Sequence, residues 1–165
     1  MQAEPGKMIY KPETIHLKEL IIDVVNSFNP ITTKNNQTIE IDVDPALTTI
    51  CIDPAYLKQV LMQYVSNAIK FSHAGGKVEI KAKLVDDQHF RIDVKDTGIG
   101  IRAEDIERLF KPFQQLDMGT GKKYQGAGLG LAITRRIVEG QGGEVGVTSQ
   151  LGKGSIFFVI LPRLL

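Results

Sequence analysis

The chain has 165 residues, enough for one domain with a real hydrophobic core and too few for two. It is 42% hydrophobic and 24% charged, with 20 Lys and Arg against 19 Asp and Glu and a formal charge of +1. That composition excludes a disordered or collagen-like chain, and the charge gives no field that would mark a nucleic-acid binder. The longest strongly apolar run, Ile156 to Leu161, is six residues, whereas a bilayer span needs about 20, so no membrane contact by this segment is expected. The single cysteine, Cys51, excludes an intrachain disulfide and a CxxC metal pair, in keeping with a reducing compartment.

Residues 1–12 read as a linker or an extraneous end, since Met1 to Lys7 lacks the apolar core of a secretion signal, and residues 13–165 read as one domain. Leu17, Leu20, Ile21, Val24, Val25 and Phe28 recur at helical spacing and predict a helix from about Glu13 to Asn29. Thr38 to Val43 alternates and predicts a strand closed by Asp44-Pro45. Asp53-Pro54 is a helix start, with Asp as the cap and Pro where no N–H is needed, and the helix is expected to run to about Phe71. Val78 to Leu84 and Phe90 to Val94 alternate on either side of Asp86-Asp87 and predict a hairpin with one buried face.

From Asp96 to Gly130 glycines accumulate, and only Ala103 to Leu109 carries a helical pattern. A last helix is expected from about Leu129 to Glu139, followed by strands near Glu144 to Ser149 and Ser155 to Leu161 joined by a turn at Gly152-Lys153-Gly154. The predicted class is α+β: a two-layer α/β sandwich whose mixed, mainly antiparallel sheet of about five strands is covered on one face by about three helices.

Three stretches could carry chemistry. Gln59, Gln63, Asn67 and Lys70 share one side of the helix that begins after Asp53. This is either a solvated face or, because Asn is a poor residue within a helix, a place where the Asn67 amide oxygen is a hard ligand for Mg2+ and Lys70 adds charge toward phosphates. Asp96-Thr97-Gly98-Ile99-Gly100 ends a strand. It reads as a plain turn, or as a carboxylate that accepts from an exocyclic amine beside glycines that admit a flat ligand. Gly126-Ala127-Gly128-Leu129-Gly130-Leu131 enters a helix, where free N–H groups favour phosphate oxygens.

The familiar phosphate motifs do not fit this last run. It is GxGxG and not GxGxxG, and a Walker loop on Gly121-Lys122 would need Gly and Ser or Thr where Leu116 and Lys123 stand. Between the second and third stretches, Phe110 and Phe113 flank Lys111-Pro112 and precede a polar, glycine-containing segment, Gln114 to Gln125. That segment is expected to be a lid anchored by the two phenylalanines, which read as packing more than chemistry, and Lys122, Lys123 and Tyr124 are either simply solvated or able to reach a triphosphate.

Taken in order, these stretches resemble the N, G1, F and G2 boxes of the catalytic and ATP-binding domain of two-component sensor histidine kinases, of the Bergerat or GHKL fold. Gln59-Val60-Leu61 to Asn67-Ala68-Ile69-Lys70-Phe71-Ser72 is similar to the N box, and Gly152-Lys153-Gly154-Ser155 to the closing turn of these kinases. The resemblance covers about Leu17 to Pro162 and implies ATP and Mg2+. It implies catalytic roles around Asn67, Lys70 and Gln63, with Asn67 on the metal. For the nucleotide it implies Asn67, Lys70, Phe71, Asp96, Gly98, Gly100, Phe110, Phe113, Lys123, Tyr124, Gly126, Gly128, Leu129 and Gly130.

Gln63 stands where the family usually has Asn and related ATPases have a catalytic Glu. An amide is no general base at neutral pH, so poor hydrolysis is expected without a partner. Gln125 and Ala127 replace the more usual Gly and Thr. None of His16, His73 and His89 stands in the pattern expected of a phosphoacceptor. The resemblance therefore implies a phosphorelay in which the acceptor histidine lies on a separate or upstream dimerisation hairpin, a response regulator receiver domain is a further partner, and the work is cytoplasmic, whether or not the parent is membrane-anchored. A regulatory GHKL module without transfer activity and a standalone GHKL ATPase are the alternatives.

Overall fold

Asp53 shows how local chemistry starts the principal helix. Its carboxylate Oδ1 accepts from the N–H groups of Ala55 and Tyr56 at 2.9 and 3.2 Å, Pro54 takes the first helical position, and α3 follows over Pro54–Phe71. The buried stripe of α3 is Leu57, Val60, Leu61, Tyr64, Val65, Ala68 and Ile69, the set its helical spacing predicts. The other carboxylate oxygen of Asp53 accepts from the backbone N–H of Lys11 at 2.7 Å. Replacing Asp53 by Ala should thus lower the unfolding free energy by about 2 kcal/mol in urea denaturation at neutral pH, near the top of the range for a lost cap. Asp53→Asn, which can still cap, should lose less.

The computed structural model describes residues 8–111 and 127–164. Before α3 come β1 (Glu13–His16), α1 (Leu17–Asn26), α2 (Asn29–Lys34), β2 (Thr38–Val43), a single 3-10 turn at Pro45–Leu47, and β3 (Thr49–Ile52). After it come β4 (Lys77–Leu84), β5 (His89–Asp96), α4 (Ala103–Ile106), α5 (Ala127–Glu139), β6 (Glu144–Gln150) and β7 (Gly154–Pro162). Five strands form one sheet in the order β2-β4-β5-β7-β6, in which β2 and β4 are parallel and the other pairs antiparallel.

The alternation of each central strand puts Val78, Ile80 and Ala82, then Phe90, Ile92 and Val94, then Phe157, Val159 and Leu161 into one buried layer. Against that layer lie Leu17, Leu20, Ile21 and Val24 of α1, the α3 stripe, and Leu131, Ile137 and Val138 of α5. Tyr64 sits at the centre, wholly buried, with its hydroxyl donating to the Phe158 carbonyl at 2.9 Å and its ring 5.5 Å from that of Phe157. The α+β sandwich expected from the sequence is therefore the fold observed.

Three local expectations need correction. Glu13 to His16 is not the first turn of a helix but a strand, paired antiparallel with β3 so that Ile15 faces Ile50. The helix that follows stops at Asn26, and Asn29-Pro30 opens the separate α2, whose Pro stands in the first turn. The helix expected over Ala103 to Leu109 ends at Ile106. Tyr10 and Lys11 pack on the domain: the Tyr10 hydroxyl donates to the Ile137 carbonyl at 2.9 Å and its ring lies 5.0 Å from that of Tyr56.

Candidate functional site

The last turn of α3 and the loop after β5 meet at one end of the sheet. The Phe71 carbonyl accepts from the N–H of Ile99 at 3.3 Å, and a Cβ at Gly98 would stand only 1.9 Å from that same carbonyl oxygen. Gly100 has φ +73°, and a Cβ there would lie 2.2 Å from the Gln150 carbonyl oxygen. Both glycines of the Asp-Thr-Gly-Ile-Gly loop are thus explained by close approach of the chain to itself, which fixes the loop against α3 and against the turn between β6 and β7.

This packing sets Asp96 at the end of β5 with 1% of its surface exposed. Its Oδ1 accepts from the Gly98 N–H at 2.9 Å, while its Oδ2 has no hydrogen-bond partner among the described residues. Burial raises the Asp96 pKa above the usual carboxylate value, opposed by the backbone N–H groups of Gly98 and Ser155 and by nearby His73. A buried carboxylate oxygen left without a donor is costly unless a ligand supplies one, and an exocyclic amine is such a donor.

Asn67 is also buried, with none of its surface exposed, whereas the sequence placed it on a polar face with Gln59 and Lys70. Gln59 and Lys70 are exposed and Gln63 is half-buried, so the four residues share a helix side but not an environment. The Asn67 Oδ1 accepts from Gln63 Nε2 at 3.3 Å, and its Nδ2 has no partner among the described residues. The donor set fits Mg2+ carried by phosphates: one amide oxygen, with no cluster of three His, Cys, Asp or Glu among the described residues to form an all-protein cage.

Of the other residues singled out in the sequence, Phe71 is buried at the α3 end, and Gly128, Leu129 and Gly130 belong to the first turn of α5. Phe110 packs edge-on to Phe157 with ring centroids 6.4 Å apart, an anchor in the core. Phe113, Lys123, Tyr124 and Gly126, together with Gln125, lie outside the described residues. Sequence reasoning missed Ser155 and His73 as neighbours of Asp96. Ser155 faces it across the β5–β7 ladder, and the Gly-Lys-Gly-Ser turn was the signal that could have found it. His73, just past the α3 end, has no such local signature.

The two-layer sandwich thus combines, among the described residues, a buried carboxylate oxygen without a partner at the end of β5 and a buried amide on α3. A family model described as "Histidine kinase-, DNA gyrase B-, and HSP90-like ATPase" matches residues 52–165. The "Hybrid signal transduction histidine kinase B" of Dictyostelium discoideum is 37% identical over 98% of this chain, which spans 8% of that relative. The structure of full-length ShkA in complex with AMPPNP superposes with a TM-score of 0.83 at 30% identity, covering 95% of this chain and 32% of that one.

The catalytic domain of histidine kinase ThkA, in a nucleotide-free form, superposes with a TM-score of 0.80 at 30% identity, covering 95% of this chain and 97% of that one. ThkA in complex with response regulator protein TrrA gives 0.78 at 25% identity, over 96% of this chain and 43% of that one. This chain belongs to the histidine kinase-, DNA gyrase B- and HSP90-like ATPase family, and it matches the catalytic domain of a histidine kinase over nearly its whole length.

Proposed function

We propose that this domain holds the adenine of ATP by its amine against Asp96 Oδ2 and directs the phosphates along the last turns of α3 toward the start of α5. The observation that carries this reading is the buried Asp96 oxygen without a donor, set beside the helix end that bears Asn67 and Lys70. The Asn67 amide oxygen is the group that would hold Mg2+, which when bound neutralises charge on the phosphates and helps to orient them. Lys70 adds a second positive charge on the exposed side of the same turn.

The acceptor in this reading is a histidine on a dimerising helical hairpin of the parent protein. Its imidazole nitrogen forms a bond to the γ-phosphorus as the bond from that phosphorus to the β–γ bridging oxygen breaks. ADP leaves, and the imidazole proton passes to solvent. The domain contributes placement and charge, which is most of what phosphoryl transfer needs. Gln63 supplies no general base, so water is not activated in place of the imidazole. A response regulator receiver domain is then the next acceptor, supported by the ThkA complex with TrrA. Work on the cytoplasmic side fits an ATP-consuming domain, and among the described residues no helix is long and apolar enough to cross a membrane.

Incubation with γ-labelled ATP, with and without the parent hairpin supplied in trans, tests the proposal. Label should appear on the hairpin only when both are present, and phosphate release by the domain alone should stay near background. Steady release without the hairpin would make this a standalone ATPase. Nucleotide binding with no labelling would make it a regulatory module.

A further inference from the structure

Gln63 and Gly130 come from different helices and compete for the same space. The Gln63 side chain lies so close to the α5 backbone that a Cβ at Gly130 would stand 2.1 Å from its Oε1, 2.6 Å from its Cδ and 2.9 Å from its Nε2. On its other side the same amide reaches Asn67, donating to Oδ1 at 3.3 Å. Asn67 itself is wholly buried, and its Nδ2 finds no partner among the described residues. Gln63 is therefore, among the described residues, the side chain that hydrogen-bonds the Asn67 amide. Because a glutamine amide both donates and accepts, it is able to support either orientation of its neighbour.

We propose that Gln63 is a positioning residue that holds the Asn67 amide in place for the metal-bearing phosphates, and that Gly130 lacks a side chain because Gln63 fills that space. The inference rests on the reading of Asn67 given above and deepens it. It gives Gln63 a role that needs no proton transfer, which suits an amide. It also gives Gly130 a role other than closeness to phosphate: the start of α5 becomes the surface against which Gln63 is braced. Outer partners that orient a metal ligand are worth about 10- to 100-fold in metal affinity, which sets the size of effect to look for.

Calorimetric titration of the full chain with ADP, in Mg2+ and separately in EDTA, reads the effect without any turnover. Gln63→Ala should weaken the Mg2+-dependent affinity by about 10-fold and the metal-free affinity by less than about 2-fold. Gly130→Ala keeps both amides in the chain but pushes the end of Gln63 aside, and should show the same selective loss. On a Gln63→Ala background Gly130→Ala should add nothing, since the atoms it meets are gone, and on an Asn67→Ala background Gln63→Ala should add nothing. Thermal melts accompany each variant to establish that it is folded.

Equal losses with and without metal would overturn the proposal, as would a further loss when Gly130→Ala is added to Gln63→Ala. A further loss when Gln63→Ala is added to Asn67→Ala would mean that Gln63 meets the ligand directly, which also overturns it. If Asn67→Ala itself leaves the Mg2+-dependent affinity intact, the assignment of Asn67 fails and the positioning role with it. If Asn67→Ala removes that affinity while Gln63→Ala does not, only the positioning role fails.

Discussion

Asn67→Ala is expected to reduce the affinity for Mg2+-nucleotide to that for nucleotide alone, without unfolding the domain. Asn67 is buried on α3 with an amide nitrogen that has no partner among the described residues, so its presence costs free energy that a ligand contact can recover. Alanine is also the better helix former, by up to about 0.7 kcal/mol, and it removes an unsatisfied polar group at the expense of a small gap. The melting temperature of the free variant should therefore stay level or rise while metal-dependent binding is lost. Calorimetry with ADP in Mg2+ and in EDTA, beside a thermal melt, separates the two effects. An unchanged difference between the metal and EDTA titrations would refute the assignment.

Asp96→Asn should exchange adenine recognition for stability. The Asn oxygen can still accept from the Gly98 N–H, but the amide nitrogen then stands where Oδ2 was, a donor facing the amine donor of adenine. A buried donor left unpaired costs about 1 to 3 kcal/mol, so ATP affinity should fall about 5- to 150-fold. The guanine carbonyl is an acceptor, so selectivity for ATP over GTP should fall with it, and retained selectivity would put another residue in this role.

The stability side follows from the raised pKa of Asp96. The native state holds this proton more tightly than the unfolded chain, so the wild type has the contribution in full below the unfolded carboxylate value and loses it as pH rises through the folded value. Asn does not titrate. The variant should thus gain stability over the wild type as pH rises from about 3.5 through that window, with a constant advantage above it. Urea denaturation across this range measures the gain, and a difference that does not change with pH would mean that burial does not penalise the carboxylate.

The contrast between these two residues shows where sequence reasoning reaches. Asp96 is legible because a strand pattern ends on it and the following glycines mark a turn, both local signals. Its role as an unpaired acceptor is not, since that depends on Gly98 and Ser155 taking their places and on what remains uncovered. Asn67 was legible as an unusual residue in a helix, but helical spacing grouped it with exposed Gln59 and Lys70. Its burial, and the packing of neighbouring Gln63 against Gly130 of α5, come from tertiary contacts that helical spacing does not contain.

By itself the sequence determined α3 from the Asp53-Pro54 start to Phe71, the β4–β5 hairpin, the β6–β7 pair and the class of the fold, because caps, alternation and turn residues act within a few positions of one another. Tertiary structure alone decided that Glu13 to His16 is a strand, since its partners Ile50 and Ile52 lie far along the chain and nothing in the segment's own pattern favours extension. It also decided that Gly98 and Gly100 answer to Phe71 and Gln150, and that Asn67 and Asp96 sit buried, each with an atom that has no partner among the described residues. Close approach and desolvation belong to pairs of residues remote in sequence, so no window along the chain contains them.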